Sequence, residues 1–190
     1  MMRLFAFALV ALTFSTVEAA PKKKYHFELA AVTAKPEVKA DQAKAATPRV
    51  EAAVKRTFET HPQLVAKVDG APDPIAKPDA YRKLLKKKGI HSAFLVTVEV
   101  TEATLEVEPM DSKPNTQRLI VRVGVHLLGE TIPGRTMGFT GDGQATVKIE
   151  VGKKLRDRDK EYAWDQASEA AIADAMTTVF KQLAIPPKKQ

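Results

Sequence analysis

Four histidines, His26, His61, His91 and His126, are the side chains best suited by type to metal or acid–base chemistry, since neutral imidazole is the commonest metal ligand. Their spacing does not form a site. None stands at i, i+2 or i+4 from a second ligand in a zinc-type pattern, so no metal is expected. His26 and His126 fall on the non-core faces of two strands, where a two-residue cluster is the most they could make. Asp157, Asp159 and Glu161 spell the start of a calcium loop but lack the glycine at its sixth position and the distal glutamate. Acidic side chains crowding a helix N-terminus account for them better. Gly141 to Gly143, G-D-G, precede a strand rather than a helix, so they read as a turn or bulge and not as a phosphate cradle. No serine lies in a nucleophile elbow. Glu99, Glu102 and Asp142 are the carboxylates that a hydrolase would use as acid and base, placed about 5 to 10 Å apart around a glycosidic bond. They alternate with core residues, which is equally the pattern of a solvated sheet face. Trp164 sits on the apolar stripe of a helix and reads as core. Nothing here implies a cofactor.

Charge is the one feature that points to a partner. The 190-residue chain carries 30 Lys and Arg against 23 Asp and Glu, a net charge of +7. The excess is clustered at Lys22 to Lys24, Arg82 to Lys88, Lys153 to Arg158 and Lys188-Lys189. Positive patches attract phosphate-bearing polymers and lipid headgroups, so an envelope protein or an anionic lipid or polymer surface is the expected partner. No aromatic residues are interleaved with the cations, so nucleic acid is not expected. Arg82, Lys83, Lys86 and Lys87 form the candidate anion-binding face.

The elements that position these groups follow from periodicity. The strongest is Gly89 to Glu108, where Phe94, Val96, Val98 and Val100 alternate with polar residues and the apolar phase then shifts to Ala103, Leu105 and Val107. A strand with one extra residue near Thr101-Glu102 explains that shift. Leu119 to Leu127 predicts its hairpin partner, and Ala145 to Val151 a third strand of an antiparallel meander. A first strand is expected over 24–33 and a short one within 63–69. Thr47-Pro48 reads as a helix start, with Val50, Ala53, Val54 and Phe58 on its inner face. Residues 35–46, polar and alanine-rich, read as a flexible loop or frayed helix extension. Pro78 opens a helix with Tyr81, Leu84 and Leu85 inward and Gly89 as its left-handed cap, and the last helix runs over 157–183. The fold class is therefore α+β: two N-terminal helices and a long C-terminal helix packed on a mostly antiparallel mixed sheet of about five strands, in the order β-α-β-α-β-β-β-α.

Residues 1–19 read as a signal peptide: Arg3, the apolar run Leu4 to Phe14, and small residues at Val17 and Ala19, with cleavage expected after Ala19. The apolar run is shorter than the roughly 20 residues a membrane span needs, and no transmembrane segment is expected in the mature chain, which would be periplasmic. Residues 20–190 form one domain, with a disordered tail at 186–190. The chain has no cysteine, which excludes disulfides, thiolate zinc sites, a cysteine nucleophile and a lipidated cysteine. The element order, G-I-H-S-A-F-L-V-T-V after the basic helix, and A-W-D-Q-A-S-E-A-A-I-A-D-A-M-T-T-V-F-K-Q-L at the end resemble a group of bacterial envelope domains. The group comprises the TolB amino-terminal domain, the curli secretion-channel lipoproteins and the outer-membrane lipoprotein activators of penicillin-binding proteins. That resemblance implies non-enzymatic docking or assembly work, and it transfers no functional residue. The leading expectation is a non-enzymatic periplasmic binding or scaffold module; the alternative is a hydrolase of an envelope polymer.

Overall fold

The computed structural model describes residues 23–110 and 115–186. The signal peptide and all but the first residue of the expected tail lie outside them. Within them the order is β1 (Lys24–Ala34), α1 (Ala40–Thr60), β2 (Leu64–Val65), α2 (Pro78–Lys87), β3 (Ile90–Pro109), β4 (Thr116–Thr131), β5 (Met137–Gly152) and α3 (Asp157–Gln182). One sheet runs β2-β1-β3-β4-β5. β1 is parallel to both β2 and β3, and β3, β4 and β5 form the antiparallel meander.

The phase shift in the third strand is a bulge. Val100 pairs with Val125 and Glu102 with Gly124, leaving Thr101 as the extra residue. Without it, Ala103, Leu105 and Val107 would turn to the solvent face. With it, one face stays apolar along β3 and β4, and Val96, Val98, Leu119, Val121, Val123 and Leu127 are all fully buried. α1 and α3 cover that face. At its centre Phe27 lies edge-on to Phe58 and Phe94, with centroids at 5.2 and 5.7 Å, and stacks on Phe139 at 5.2 Å. Two glycines make room for this cluster. A side chain at Gly129 would meet the Phe139 ring, and one at Gly138 the Phe94 ring, so each ring covers the backbone of a glycine.

Four expectations are corrected. The helix expected to start at Thr47-Pro48 starts at Ala40, so of the two readings of residues 35–46 the helix extension holds for 40–46, and Pro48 lies inside α1. The missing apolar stripe is supplied by alanine: Ala46 is fully buried, and Ala45 and Val38 pack on the core. Pro48 has no N–H to offer the preceding turn. There the Arg49 guanidinium donates to the Ala45 carbonyl at 2.7 Å. Second, the short strand holds only Leu64–Val65, because Val68 leaves the sheet to pack under α2. Third, β5 begins at Met137, and Gly141 to Gly143 are not a turn but interior strand residues. They are glycine because α3 lies against them: a Cβ at Gly143 would stand 2.1 Å from the Ala171 carbonyl oxygen, and one at Gly141 would stand 2.7 Å from that of Ala175. Fourth, α3 ends at Gln182, one residue early.

That end is a Schellman motif. Ile185 N–H donates to the Phe180 carbonyl at 2.8 Å and Ala184 N–H to that of Lys181 at 3.2 Å. Ala184 occupies the left-handed position, with φ +53°, where an L side chain costs about 1–2 kcal/mol. Ala184→Gly is expected to stabilise the protein by about 0.5–1 kcal/mol after the extra chain entropy of glycine is counted. A rise in thermal midpoint checks it, and a fall would show that the Ala184 methyl contributes packing.

Candidate functional site

α2 crosses one end of the sheet face opposite α1 and α3. Pro78 fixes its first turn, Asp79 stands at the positive end of its dipole, and Lys86 and Lys87 stand at the negative end. It ends as the sequence predicts: Gly89, at φ +69°, donates its N–H to the Lys86 carbonyl at 3.1 Å. Tyr81 and Leu85 are buried against Ile90 and Ala93, with Val65, Val68 and Ile132 packed around them, and Leu84 is half-buried. This is a satellite core of its own. It fixes which way the other residues point.

Arg82, Lys83, Lys86 and Lys87 are all exposed, as the helical spacing requires once Tyr81 and Leu85 turn inward. Arg82 pairs with Asp79 at 3.2 Å. No carboxylate among the described residues lies within ion-pair distance of Lys83, Lys86 or Lys87. Lys88 is used differently, reaching back to the Asp69 carbonyl at 2.9 Å. Beside the helix, a cleft of about 400 Å³ lies between Arg82, Leu85 and Lys86 on one side and Ile90, Ser92 and Ile132 on the other. The segment before α2 is held by Asp73, whose carboxylate accepts the N–H groups of Ile75 and Ala76 at 2.8 and 3.2 Å. Those two bonds lower its pKa below the usual carboxylate range. Ile75 projects from this turn and is 80% exposed. Burial, and then the charge of Glu28, push the Tyr81 phenol up.

The histidines are not brought together. His26 is buried beneath α2, its Nδ1 at 2.6 Å from the Val65 carbonyl. The open strand face expected for it is covered by the very helix that carries the cations. His61 ends α1 and lies against the Phe180 ring at 4.5 Å, and His91 is edge-on to Tyr25 at 5.7 Å. His126 sits on the open sheet face with Nδ1 at 2.6 Å from Asp142. The register places His26 beside Ala93 and His126 beside Glu99. Six positions along β3 are about 20 Å, so the conceivable His26–His126 cluster does not exist. Among the described residues no group of three His, Asp or Glu side chains is arranged to hold a metal.

The three carboxylates considered for hydrolysis do share the open face. Glu99, His126 and Asp142 lie in one row across β3, β4 and β5, and Glu102, Gly124 and Gln144 in the next. Each acid has a partner: Asp142 has His126, Glu102 accepts from Gln144 at 2.6 Å, and Glu99 faces Lys35 at 4.0 Å. Glu102 and Asp142 line a common shallow cleft of about 320 Å³. Asp157 and Asp159, at the start of α3, pair with Lys160 at 3.0 Å and Arg156 at 2.9 Å. The hydrogen bond from Arg156 is the main reason that the Asp159 pKa is lowered. Trp164 is buried in the core. Sequence reasoning found the cationic face but missed the cleft beside it and the exposed Ile75. The prolines around Ile75 signal only a loop.

No protein-family model matches the chain, and no curated protein matches it. Solved structures are similar to it. Rare lipoprotein B from Shewanella oneidensis is 12% identical, with 83% of this chain and 98% of that chain covered and a TM-score of 0.42. The minor lipoprotein from Acinetobacter baumannii is 10% identical over 90% and 99% of the two chains, with a TM-score of 0.36. Lipoprotein B from Nitrosomonas europaea is 11% identical over 86% and 82%, with a TM-score of 0.31. All three are lipoproteins of bacteria, and none bears the name of the TolB, curli or penicillin-binding-protein activator groups. This chain has no cysteine to carry a lipid.

Proposed function

We propose that the protein is a non-enzymatic binding or scaffold module of the bacterial periplasm that meets an anionic partner, in the first place a membrane surface, through α2. The observation that carries this reading is the exposed row Arg82, Lys83, Lys86 and Lys87 on a helix anchored from below by Tyr81 and Leu85. An anchored helix presents its charges without first having to order them, so the cost of fixing the backbone is not charged against binding. The signal-peptide pattern of residues 1–19 supports the compartment.

Each cation near an anionic bilayer contributes on the order of 1 kcal/mol, and the contribution fades as salt shortens the Debye length. The full chain is therefore expected to co-sediment with phosphatidylglycerol-containing vesicles at low salt and to be released as salt is raised. The variant with all four cations changed to Gln should bind at least about tenfold more weakly. Equal binding by both proteins, or binding indifferent to salt, would reduce the row to a solubility device.

A further inference from the structure

We propose that the outer edge of β1 is a self-association site, at which two copies of this chain join their sheets by antiparallel pairing of Phe27–Ala34. On its inner side β1 pairs with β3 from Lys24 to Ala34. On its outer side β2 pairs with Tyr25 and His26 and, through that register, takes the Phe27 N–H. Tyr25 N–H donates outward to Gln63, and Lys35 N–H donates inward to Val100, both at 2.9 Å. Alternation between these two bonds, with Ala30 as the extra residue where the register shifts between Leu29 and Ala31, turns the N–H and C=O groups of Phe27, Leu29, Val32 and Ala34 outward. Apart from the Phe27 N–H, which the parallel register at His26–Val65 directs to the Val65 carbonyl, no group among the described residues hydrogen-bonds to this outer row.

The opposite edge of the sheet is closed. On β5, the Gln182 side-chain amide takes the place of a neighbouring strand: Thr140 N–H donates to its Oε1 at 3.2 Å, and its Nε2 donates to the Thr140 carbonyl at 2.8 Å. Asp174 accepts the Gln144 N–H at 3.1 Å. Farther along, Lys148 and Glu150 add charge. β1 has none of these guards. Leu29 to Ala34, L-A-A-V-T-A, contains no charge and no proline, and Ala30, Ala31 and Thr33 are exposed. Sheet proteins that stay apart block such edges with charge, proline or a cover. Here the single bulge at Ala30 is the only interruption.

The row itself selects the occupant. Its outward positions, 27, 29, 32 and 34, are symmetric about Ala30-Ala31. An antiparallel second copy therefore sets Leu29 against Val32 on both sides of the axis, where every N–H meets a carbonyl, and brings the Ala34 N–H to the Phe27 carbonyl. The two bulges meet at the twofold axis, where the side chains are alanines. The charges flanking the row also match. Glu28 stands opposite Thr33 of the second copy and diagonal to its Lys35, within reach of long side chains. Their side chains are 58% and 45% exposed, and each would exchange a loose contact within the monomer, Glu28 with His26 at 3.8 Å and Lys35 with Glu99 at 4.0 Å, for one across the seam. Such a contact is isologous and closes as a dimer.

Sedimentation velocity of the full chain, from low to high micromolar concentration, tests this. The expected result is a concentration-dependent shift from one copy to two. Ala31→Lys, which sets two cations against each other at the axis, and Val32→Pro, which removes an outward N–H that the monomer does not use, are each expected to weaken the dimer by about tenfold or more. Thr146→Lys on the β5 edge should leave the dimer unchanged. A single-copy mass at every concentration overturns the proposal. So does a dimer that survives Ala31→Lys in a protein whose thermal midpoint matches the parent.

Discussion

Gly143→Val is expected to cost about 3 kcal/mol or more, the upper range for forcing extra carbon into a packed interior. A Cβ there would stand 2.1 Å from the Ala171 carbonyl oxygen, 2.5 Å from the Ala175 nitrogen and 2.8 Å from the Ala175 Cβ. Two of those three atoms are helix backbone, which cannot swing aside as a long side chain could. α3 must instead lift from β5. In doing so it loosens Ala171, Ala175 and Val179, all fully buried. In a domain of this size 1 kcal/mol moves the thermal midpoint by about 2–4 °C, so a fall of roughly 6–12 °C is expected. Gly152 has nothing within 4 Å of its imagined Cβ, and Gly152→Ala serves as the control. A Gly143→Val midpoint within a degree or two of the parent would mean that α3 does not lie where the structure puts it.

Phe27→Ala is expected to cost about 3–5 kcal/mol, the range for emptying a buried aromatic site. Phe27 is 1% exposed and touches rings from α1, β3 and β5 at once. The three rings left behind come from three different elements, so no single movement closes the gap. Urea unfolding should show a lower midpoint with little change in slope. A loss under about 1 kcal/mol would show that Phe58, Phe94 and Phe139 collapse into the space.

Most of this frame can be read from the sequence where two signals agree. β3, β4 and α3 combine a clear period with breakers at their ends, and the slip at Thr101 is visible because seven alternating residues, Phe94 to Val100, precede it. Gly89 is legible because a basic turn and a β-branched run flank it. The failures have a common cause: small residues whose role is set by what approaches them. Ala46 looks like linker until the sheet is present, and Gly141 and Gly143 look like a turn until a helix lies on them. His26 looks solvent-facing because its strand alternates, yet α2, encoded some fifty residues later, covers it. The cationic row was legible because helical spacing alone separates it from Tyr81 and Leu85. The open β1 edge was not, since a strand's neighbours are absent from its own sequence.

The parallel pairing of β1 with β3 also orders events in time. The meander strands are joined through short connections and can begin to pair as soon as each is made. Lys24, by contrast, pairs with Ile90, and everything from α1 to α2 lies between them. A chain that emerges amino terminus first therefore delivers its first strand long before that strand has a partner. Through that interval the uncharged stretch Leu29–Ala34 of β1 is bare, open to any other strand that reaches it first.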